Sequence, residues 1–389
     1  MDQVFVVNPG SSSNKYGLFA GATERASAYF EHTPKGFDLN LVIDGRAEKS
    51  EVSKKDFEHA VEYLLERFEE EQLVTAENPI TAIGIRVVAP GSFFQAHHRI
   101  NAKVVAALTA AQERAPLHIT PVLSEISTLR EHFPKLPMYG VSDSEFHASM
   151  PQHARIYGIP YADTKKHDLY RFGYHGISMS SVVHQLRKDS ALKARCIVCH
   201  LGSGASTTAL LKGESQDTTM GYTPLEGLVM STRGGDVDAG AVLYLQQKLA
   251  LGREDMESYL YREGGLKGLS GESPDLRELI AGKQSHDEPA TRAIDLYTYR
   301  VRKYVGAYAA VLGGLDQLVF AGTVGERSWI MRQWICRELA SAGIKLEPSA
   351  NVEHEGKAGV ISADGSEVEV RVVVTDEMAE IARLVGEQT

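Results

Sequence analysis

The chain has 389 residues, 43% hydrophobic and 24% charged, a composition that excludes disorder and collagen-like repeats and suits two globular domains. Its formal net charge of −10 repels nucleic acid and anionic membrane, so any anion bound here must meet a local basic pocket. Three cysteines (Cys196, Cys199 and Cys336) are too few for a disulfide framework and point to a reducing cytoplasm.

In chain order, short β-rich runs predict strands over 4–7, 16–19, 82–88, 137–141, 196–200, 206–211, 317–320 and 368–374. Amphipathic runs predict helices over 54–71, 103–113, 120–132, 178–188, 240–249, 289–312, 328–342 and 376–385. The alternation makes this an α/β protein. No basic segment followed by an apolar stretch opens the chain, and no window reaches ~18 apolar residues, so neither secretion nor membrane spanning is expected. The stretch from Met150 to Arg171, rich in Pro, Gly and polar residues, is the best place to divide the chain.

An internal repeat organises the whole. Shifting the sequence by 192 residues lays Val6-Val7-Asn8-Pro9-Gly10-Ser11 on Val198-Cys199-His200-Leu201-Gly202-Ser203. Of the sixteen positions from Val6 to Gly21, five are identical, including Leu18/Leu210 and Gly21/Gly213. Both copies read strand, Gly/Ser loop, strand and small turn. They suggest a duplicated α/β domain pair with a cleft between the halves; two unrelated hairpins with common turn residues are the alternative.

The loops Asn8-Pro9-Gly10-Ser11-Ser12-Ser13-Asn14-Lys15 and His200-Leu201-Gly202-Ser203-Gly204-Ala205-Ser206 have the chemistry of phosphate loops. Small residues let backbone N–H groups approach an anion, and hydroxyls add donors. Such turns also simply close hairpins. Neither a Walker-type loop nor a G-x-G-x-x-G between strand and helix is present, which disfavours P-loop and dinucleotide-binding chemistry. Cys196-Ile197-Val198-Cys199-His200 matches a haem-attachment pattern, but inside a strand residues i and i+3 face opposite ways. These cysteines read as buried small hydrophobes.

Charged residues among apolar ones carry more information. Arg86, in Ile83-Gly84-Ile85-Arg86-Val87-Val88, is costly to bury unless it meets an anion, whether as a structural ion pair or a substrate clamp. Arg233, in Thr232-Arg233-Gly234-Gly235-Asp236, belongs to a mobile active-site loop or a charged turn. His175, in Gly173-Tyr174-His175-Gly176, reads as a structural histidine. Asp143, at a strand end, is a metal ligand or a turn cap. Glu377 opens a helix, where the dipole alone accounts for an acid.

Taken together, Val6-Val7-Asn8-Pro9-Gly10-Ser11-Ser12-Ser13, Arg86-Val87-Val88, Ala115-Pro116-Leu117-His118, Phe172-Gly173-Tyr174-His175-Gly176, His200-Leu201-Gly202-Ser203-Gly204-Ala205-Ser206, Met220-Gly221-Tyr222-Thr223-Pro224-Leu225-Glu226-Gly227, Phe320-Ala321-Gly322-Thr323-Val324-Gly325-Glu326 and Thr375-Asp376-Glu377 resemble the acetate kinase family. The resemblance covers nearly the whole chain. It implies the duplicated actin-like (ribonuclease H-like) two-domain fold, with a central cleft, of the acetate and sugar kinase/Hsc70/actin superfamily. The domains would run 1–148, joined by the C-terminal helix 376–389, and 149–375, the latter with the nucleotide site.

The resemblance also implies reversible, direct in-line phosphoryl transfer from ATP to acetate or propionate, giving an acyl phosphate and ADP, with Mg²⁺ (or Mn²⁺ in its place). Position by position, Arg86 and Arg233 would hold the carboxylate and the transferring phosphoryl group. His175 would donate to that group's oxygens, with His118 in support. Val88, Leu117, Tyr174 and Pro224 would form the acyl pocket. Asn8, Ser11, Ser13, Lys15, His200, Gly202, Ser203 and Gly204 would line the phosphates. Asp275, Leu276, Arg277, Gly322, Thr323 and Gly325 would contact the nucleoside. Asp143 and Glu377, with Asn8, would hold the metal. The partners implied are small molecules and a second copy of the chain, without nucleic acid or membrane.

The chain departs from the family in places. Ala89-Pro90 replaces His-Gly, Ile119 and Ser203 each replace an Asn, and Tyr174 replaces a Phe. At the nucleoside side, Gly-Gly-Ile-Gly-Glu-Asn becomes Gly322-Thr323-Val324-Gly325-Glu326-Arg327. The expectation is an ATP-dependent short-chain carboxylate kinase. The alternatives are a pyrophosphate-dependent or other-donor kinase and a catalytically inactive nucleotide-binding relative.

Overall fold

The computed structural model describes residues 2–10, 13–33 and 35–388. Contacts divide the chain into two units, residues 1–145 with 376–389 and residues 146–375. The segment from Met150 to Arg171 therefore lies inside the second unit, where it forms helices Gln152–Arg155 and Tyr161–His167.

Among the described residues of the first unit, eight strands form one sheet: β1 (Gln3–Pro9), β2 (Ser13–Ala20), β3 (Thr23–Thr33), β4 (Gly36–Ile43), β5 (Arg46–Val52), β6 (Ile80–Val87), β7 (His98–Arg99) and β8 (Met138–Ser142). Their order is β5-β4-β3-β2-β1-β6-β8-β7. The meander β1–β5 is antiparallel, while β6 joins β1, and β8 joins β6, in parallel. Phe5, Val7, Tyr16, Leu18 and Phe30 pack beneath helices Ala60–Glu70 and Pro116–His132 through Leu64, Phe68, Ile119 and Ile126.

The second unit holds six strands among the described residues: β9 (Arg195–Leu201), β10 (Ala205–Leu211), β11 (Glu214–Thr218), β12 (Gln317–Ala321), β13 (Gly359–Val360) and β14 (Glu369–Val372), in the order β11-β10-β9-β12-β14-β13. The core β11-β10-β9-β12-β14 repeats β3-β2-β1-β6-β8 strand for strand, two antiparallel steps followed by two parallel ones. The duplication read from the sequence is thus a duplication of architecture.

The residue-level match needs one correction. Pro9 pairs with Asn14 across the first hairpin, whereas Leu201 pairs with Ala205, so the second loop is one residue shorter. Beyond the loop the counterparts shift by one: Leu18 corresponds to Ala209, and Gly21 to Lys212. The left-handed turn position is kept, with φ of 58° at Gly21 and 54° at Lys212. The identities Leu18/Leu210 and Gly21/Gly213 are therefore out of register.

All eight predicted strands are present, but β3, β4, β5, β7, β11 and β13 are additional. The expected helix 54–71 breaks at His59 into Lys54–Glu58 and Ala60–Glu70. The expected helix 328–342 stops at Cys336 and resumes only as the short turn Ala340–Ala342. Cys196 and Cys199 both sit fully buried in β9, and burial pushes the Cys199 thiol up to about 12. They are inert core residues.

Candidate active site

In the first unit, β1, β6 and β8 run parallel, and their carboxyl ends place Asn8, Arg86 and Asp143 along one edge of the sheet, the usual location of ligand chemistry in α/β folds. Asp143 follows β8 directly and donates its backbone N–H to the Val87 carbonyl at 2.9 Å. Glu377 is the first residue of helix Glu377–Gly386, whose start is fixed by the Asp376 carboxylate accepting from the Ala379 N–H at 2.8 Å. Arg86 donates to Glu377 at 2.8 Å and to Asp143 at 3.0 Å. Burial works against the Arg86 charge, but Asp143 and then Glu377 outweigh it and raise its pKa above the ordinary guanidinium value. Asp143 is itself only 1% exposed, so Arg86 is the charge that makes its burial tolerable.

The remaining candidates of this unit lie on neighbouring elements. Val88 follows β6 and is half-buried; Leu117 and His118 occupy the first turn of helix Pro116–His132, also half-buried. Asn14 accepts from the Gly10 N–H at 3.2 Å and so braces the first Gly/Ser loop. Ser11 lies outside the described residues, while Ser13 begins β2. Lys15 lies over the Tyr29 ring at 5.4 Å, spending its charge on the face of the meander.

In the second unit the same edge logic applies to β9 and β12, which are parallel neighbours with His200 opposite Ala321. Three groups converge beside the Gly202–Gly204 loop. A Cβ at Gly204 would come within 2.8 Å of Arg233 Nη2 and 3.2 Å of His175 Nε2, so both side chains close on this glycine. His175 sits in the left-handed region at φ 61°, a strained placement for a residue with a side chain, immediately before helix Gly176–Lys188. Its Nδ1 is 3.0 Å from Ser206 Oγ, and its ring centroid lies 4.3 Å from that of His200. His200 Nδ1 is in turn 2.7 Å from Ser178 Oγ. Ser203 accepts the Ser231 N–H through its carbonyl at 3.1 Å and so links this loop to the one bearing Arg233.

Arg233 differs from Arg86 in one decisive respect. Its guanidinium donates to the Pro224 carbonyl at 2.7 Å, and among the described residues it has no carboxylate partner. Burial lowers its pKa, and only Tyr261 opposes the shift. Arg233 is half-buried, and a cation partly withdrawn from water without a counter-charge is an anion site in waiting. Pro224 and Tyr174 are both buried, with the Tyr174 hydroxyl donating to the Tyr222 carbonyl at 2.7 Å.

Gly322 follows β12 at φ 74°, where a Cβ would meet the Leu201 carbonyl oxygen at 2.8 Å. Its N–H donates to buried Glu326 at 3.0 Å, and the same carboxylate oxygen accepts from the Thr375 N–H and hydroxyl. Thr323 and Arg327 are both exposed on the short helix Gly322–Arg327, so neither is packed into the core. Gly325 is buried against the backbone of Phe320 and Cys199. Asp275 caps helix Leu276–Gln284 and pairs with Arg277 at 2.6 Å, while Leu276 is buried. Sequence reasoning missed the groups that orient these residues: Ser206, Ser178 and Glu326 all lay within or beside quoted motifs, but only tertiary pairing reveals what they hold.

Residues 3–383 match the model of the acetokinase family. The chain is 38% identical over 390 residues to the acetate kinase of Bacteroides thetaiotaomicron, covering 98% of each. It superposes on the crystal structure of Porphyromonas gingivalis acetate kinase with a TM-score of 0.88 at 35% identity, covering 100% of this chain and 99% of the other. It also matches a propionate kinase from Francisella tularensis with a TM-score of 0.89 at 33% identity, covering 98% of each. The duplicated actin-like α/β fold is common to all of them, and the chain belongs to the acetokinase family.

Proposed function

We propose that the protein is an acetate kinase, transferring the γ-phosphoryl group of ATP reversibly to acetate, with propionate also accepted. The observation that carries this reading is the half-buried Arg233 guanidinium, without a carboxylate partner among the described residues, next to His175 and Gly204. A carboxylate is already an adequate nucleophile, so the protein's task is to align two anions and neutralise spreading charge. Arg233 stabilises charge on the transferring phosphoryl oxygens. His175, oriented by Ser206, donates a hydrogen bond to the same group, with His118 in support. Arg86 holds the acetate carboxylate, and Val88, Leu117, Tyr174 and Pro224 bound its methyl group. The loop amides of Gly202–Gly204, with Asn8, Ser11, Ser13, Lys15 and His200, receive the nucleotide phosphates. Asp275, Leu276, Arg277, Gly322, Thr323 and Gly325 receive the nucleoside.

The donor set of the first unit fits Mg²⁺, which binds through one or two carboxylates and keeps waters and substrate phosphates for its other positions. Asp143 and Glu377 are hard oxygen ligands gathered on one guanidinium, and Asn8 is the penultimate residue of β1, which adjoins the Arg86 strand. The ion, when bound, neutralises phosphate charge; Asp143 and Glu377 hold it directly or through water. Three free, buried cysteines suit a reducing, cytoplasmic compartment.

Two copies of the chain form the working enzyme. Helix Ala239–Lys248 buries none of its residues, although it reads Ala-Gly-Ala-Val-Leu-Tyr-Leu. Leu243 and Tyr244 are 66% and 60% exposed, and Tyr299 and Val311 on helix Glu288–Val311 are also exposed. An apolar surface of this kind in one unit suits a self-complementary interface.

The test is acyl phosphate trapped as hydroxamate, with acetate, propionate and butyrate as acceptors and ATP or pyrophosphate as donor. The reading expects product from ATP with acetate and propionate and little with butyrate; each methylene that fits is worth only ~1–3 kcal/mol of discrimination, so propionate is not strictly excluded. Product from pyrophosphate alone would transfer the assignment to a pyrophosphate-dependent kinase.

A further inference from the structure

The loop that carries Arg233 is closed by a side chain that no step above uses. Asp236 Oδ1 accepts from the Gly227 N–H at 2.9 Å, and the Asp236 N–H donates to the Gly227 carbonyl at 3.0 Å. Both ends of the segment are therefore tied by one residue. Its other carboxylate oxygen accepts from the Tyr304 hydroxyl at 2.6 Å and from Arg300 at 3.4 Å, and Arg300 also donates to the Asp236 carbonyl at 3.3 Å. Arg300 and Tyr304 are one turn apart on helix Glu288–Val311, the longest helix among the described residues. The middle of the loop is fixed separately, with the Met230 N–H on the Arg233 carbonyl at 2.9 Å and the Thr232 hydroxyl on the Tyr261 carbonyl at 2.7 Å. Gly235, at φ 71°, lets the chain turn where a Cβ would strike the Gly227 and Leu228 carbonyl oxygens at 2.3 and 2.4 Å.

We propose that Asp236 is a positioning residue for Arg233: it staples the loop shut and anchors it to a rigid helix, so that the guanidinium is held ready for its anion. The inference rests on the role given to Arg233 above. The need for such a device follows from Arg233's own environment. A half-buried guanidinium with one carbonyl partner and, among the described residues, no carboxylate has little to hold it in place before substrate arrives, so its placement has to come from the backbone. A misplacement of ~1 Å at a charge-stabilising group costs on the order of 10²-fold in rate. Tyr304 and Arg300 matter only through Asp236, because they touch the loop at no other residue among the described hydrogen bonds.

The experiment is a double-mutant cycle on kcat for acetyl phosphate formation, with Asp236→Ala, Asp236→Asn, Tyr304→Phe, Arg233→Ala and the combinations with Arg233→Ala. Circular dichroism and thermal melts accompany each variant. Asp236→Ala is expected to lower kcat about 30- to 100-fold with KM for acetate within about threefold. Asp236→Asn, which keeps an acceptor for the Gly227 N–H, should stay within about fivefold of the wild type. In the Arg233→Ala background both Asp236→Ala and Tyr304→Phe should change kcat by less than about threefold, since the group they position is gone. Equal losses in both backgrounds would show a general structural role and overturn the proposal. So would an asparagine variant as impaired as the alanine one. If Asp236→Ala does not fold, the milder Tyr304→Phe cycle decides in its place. A wild type inactive with every acceptor overturns the kinase reading itself, whereas an active wild type with an additive cycle removes only the role of Asp236.

Discussion

Arg86 and Arg233 are the same residue type in opposite electrostatic circumstances, and that difference predicts opposite consequences of removal. Arg86 compensates two carboxylates, one of them almost fully buried. Arg86→Ala should raise KM for acetate and also lower thermal stability, because removing one partner of a buried pair costs ~3–5 kcal/mol. Arg233 compensates nothing, so Arg233→Ala should leave the melting temperature unchanged or raise it while lowering kcat by at least ~10². Steady-state kinetics and a thermal melt on both variants check this; a destabilised Arg233→Ala with near-normal kcat would contradict it. The types and positions of these residues were legible in the sequence, since a charge among apolar residues is conspicuous. Their partners were not. Arg86 and Glu377 lie at opposite ends of the chain and meet only because helix Glu377–Gly386 packs on β1 and β6. Ser206, which orients His175, looked like one more loop hydroxyl.

At the scale of elements, strands with strong apolar runs were legible and those with mixed faces were not. β5 reads Arg-Ala-Glu-Lys-Ser-Glu-Val and is almost wholly exposed; it is a strand only because β4 pairs with it, a tertiary cause invisible in local pattern. β3 and β4 alternate buried and half-buried residues on a meander that the short predicted strands did not anticipate. The helix expected over 328–342 ends at Cys336, and Gly343, at φ 78°, closes only the separate short turn Ala340–Ala342. One element carries a titratable cost. Glu125 lies within helix Pro116–His132 against Tyr16, with Oε1 buried and unpartnered, and burial raises its pKa from 4.5 to about 7. Below the lower value both folded and unfolded chains are protonated there. As pH rises between the two values the unfolded chain releases the proton and the folded chain keeps it, so stability falls through that window and the penalty is constant above it. Glu125→Gln should therefore melt a few degrees higher than wild type at pH 8 and at the same temperature near pH 4. Parallel melting curves at both pH values would contradict this.

At the scale of the whole molecule, the sequence repeat located the duplication but misplaced its register beyond the first loop, because a one-residue difference in hairpin length cannot be seen without the pairing. The exposed apolar face of helix Ala239–Lys248 likewise read as an ordinary amphipathic helix, and only its lack of any buried residue marks it as unpartnered. Leu243→Asp together with Tyr244→Asp should convert a dimer to monomers in sedimentation velocity while each chain stays folded; a wild type that is monomeric at micromolar concentration would contradict the interface. The central claim is direct phosphoryl transfer from ATP to a carboxylate oxygen, with cationic groups stabilising the transition state and no covalent enzyme intermediate. The stereochemical course at phosphorus tests it most directly, using ATP made chiral at the γ-phosphorus with oxygen isotopes and acetate as acceptor. A single in-line displacement predicts inversion of configuration in the acetyl phosphate formed. Retention, or racemisation, would contradict the account.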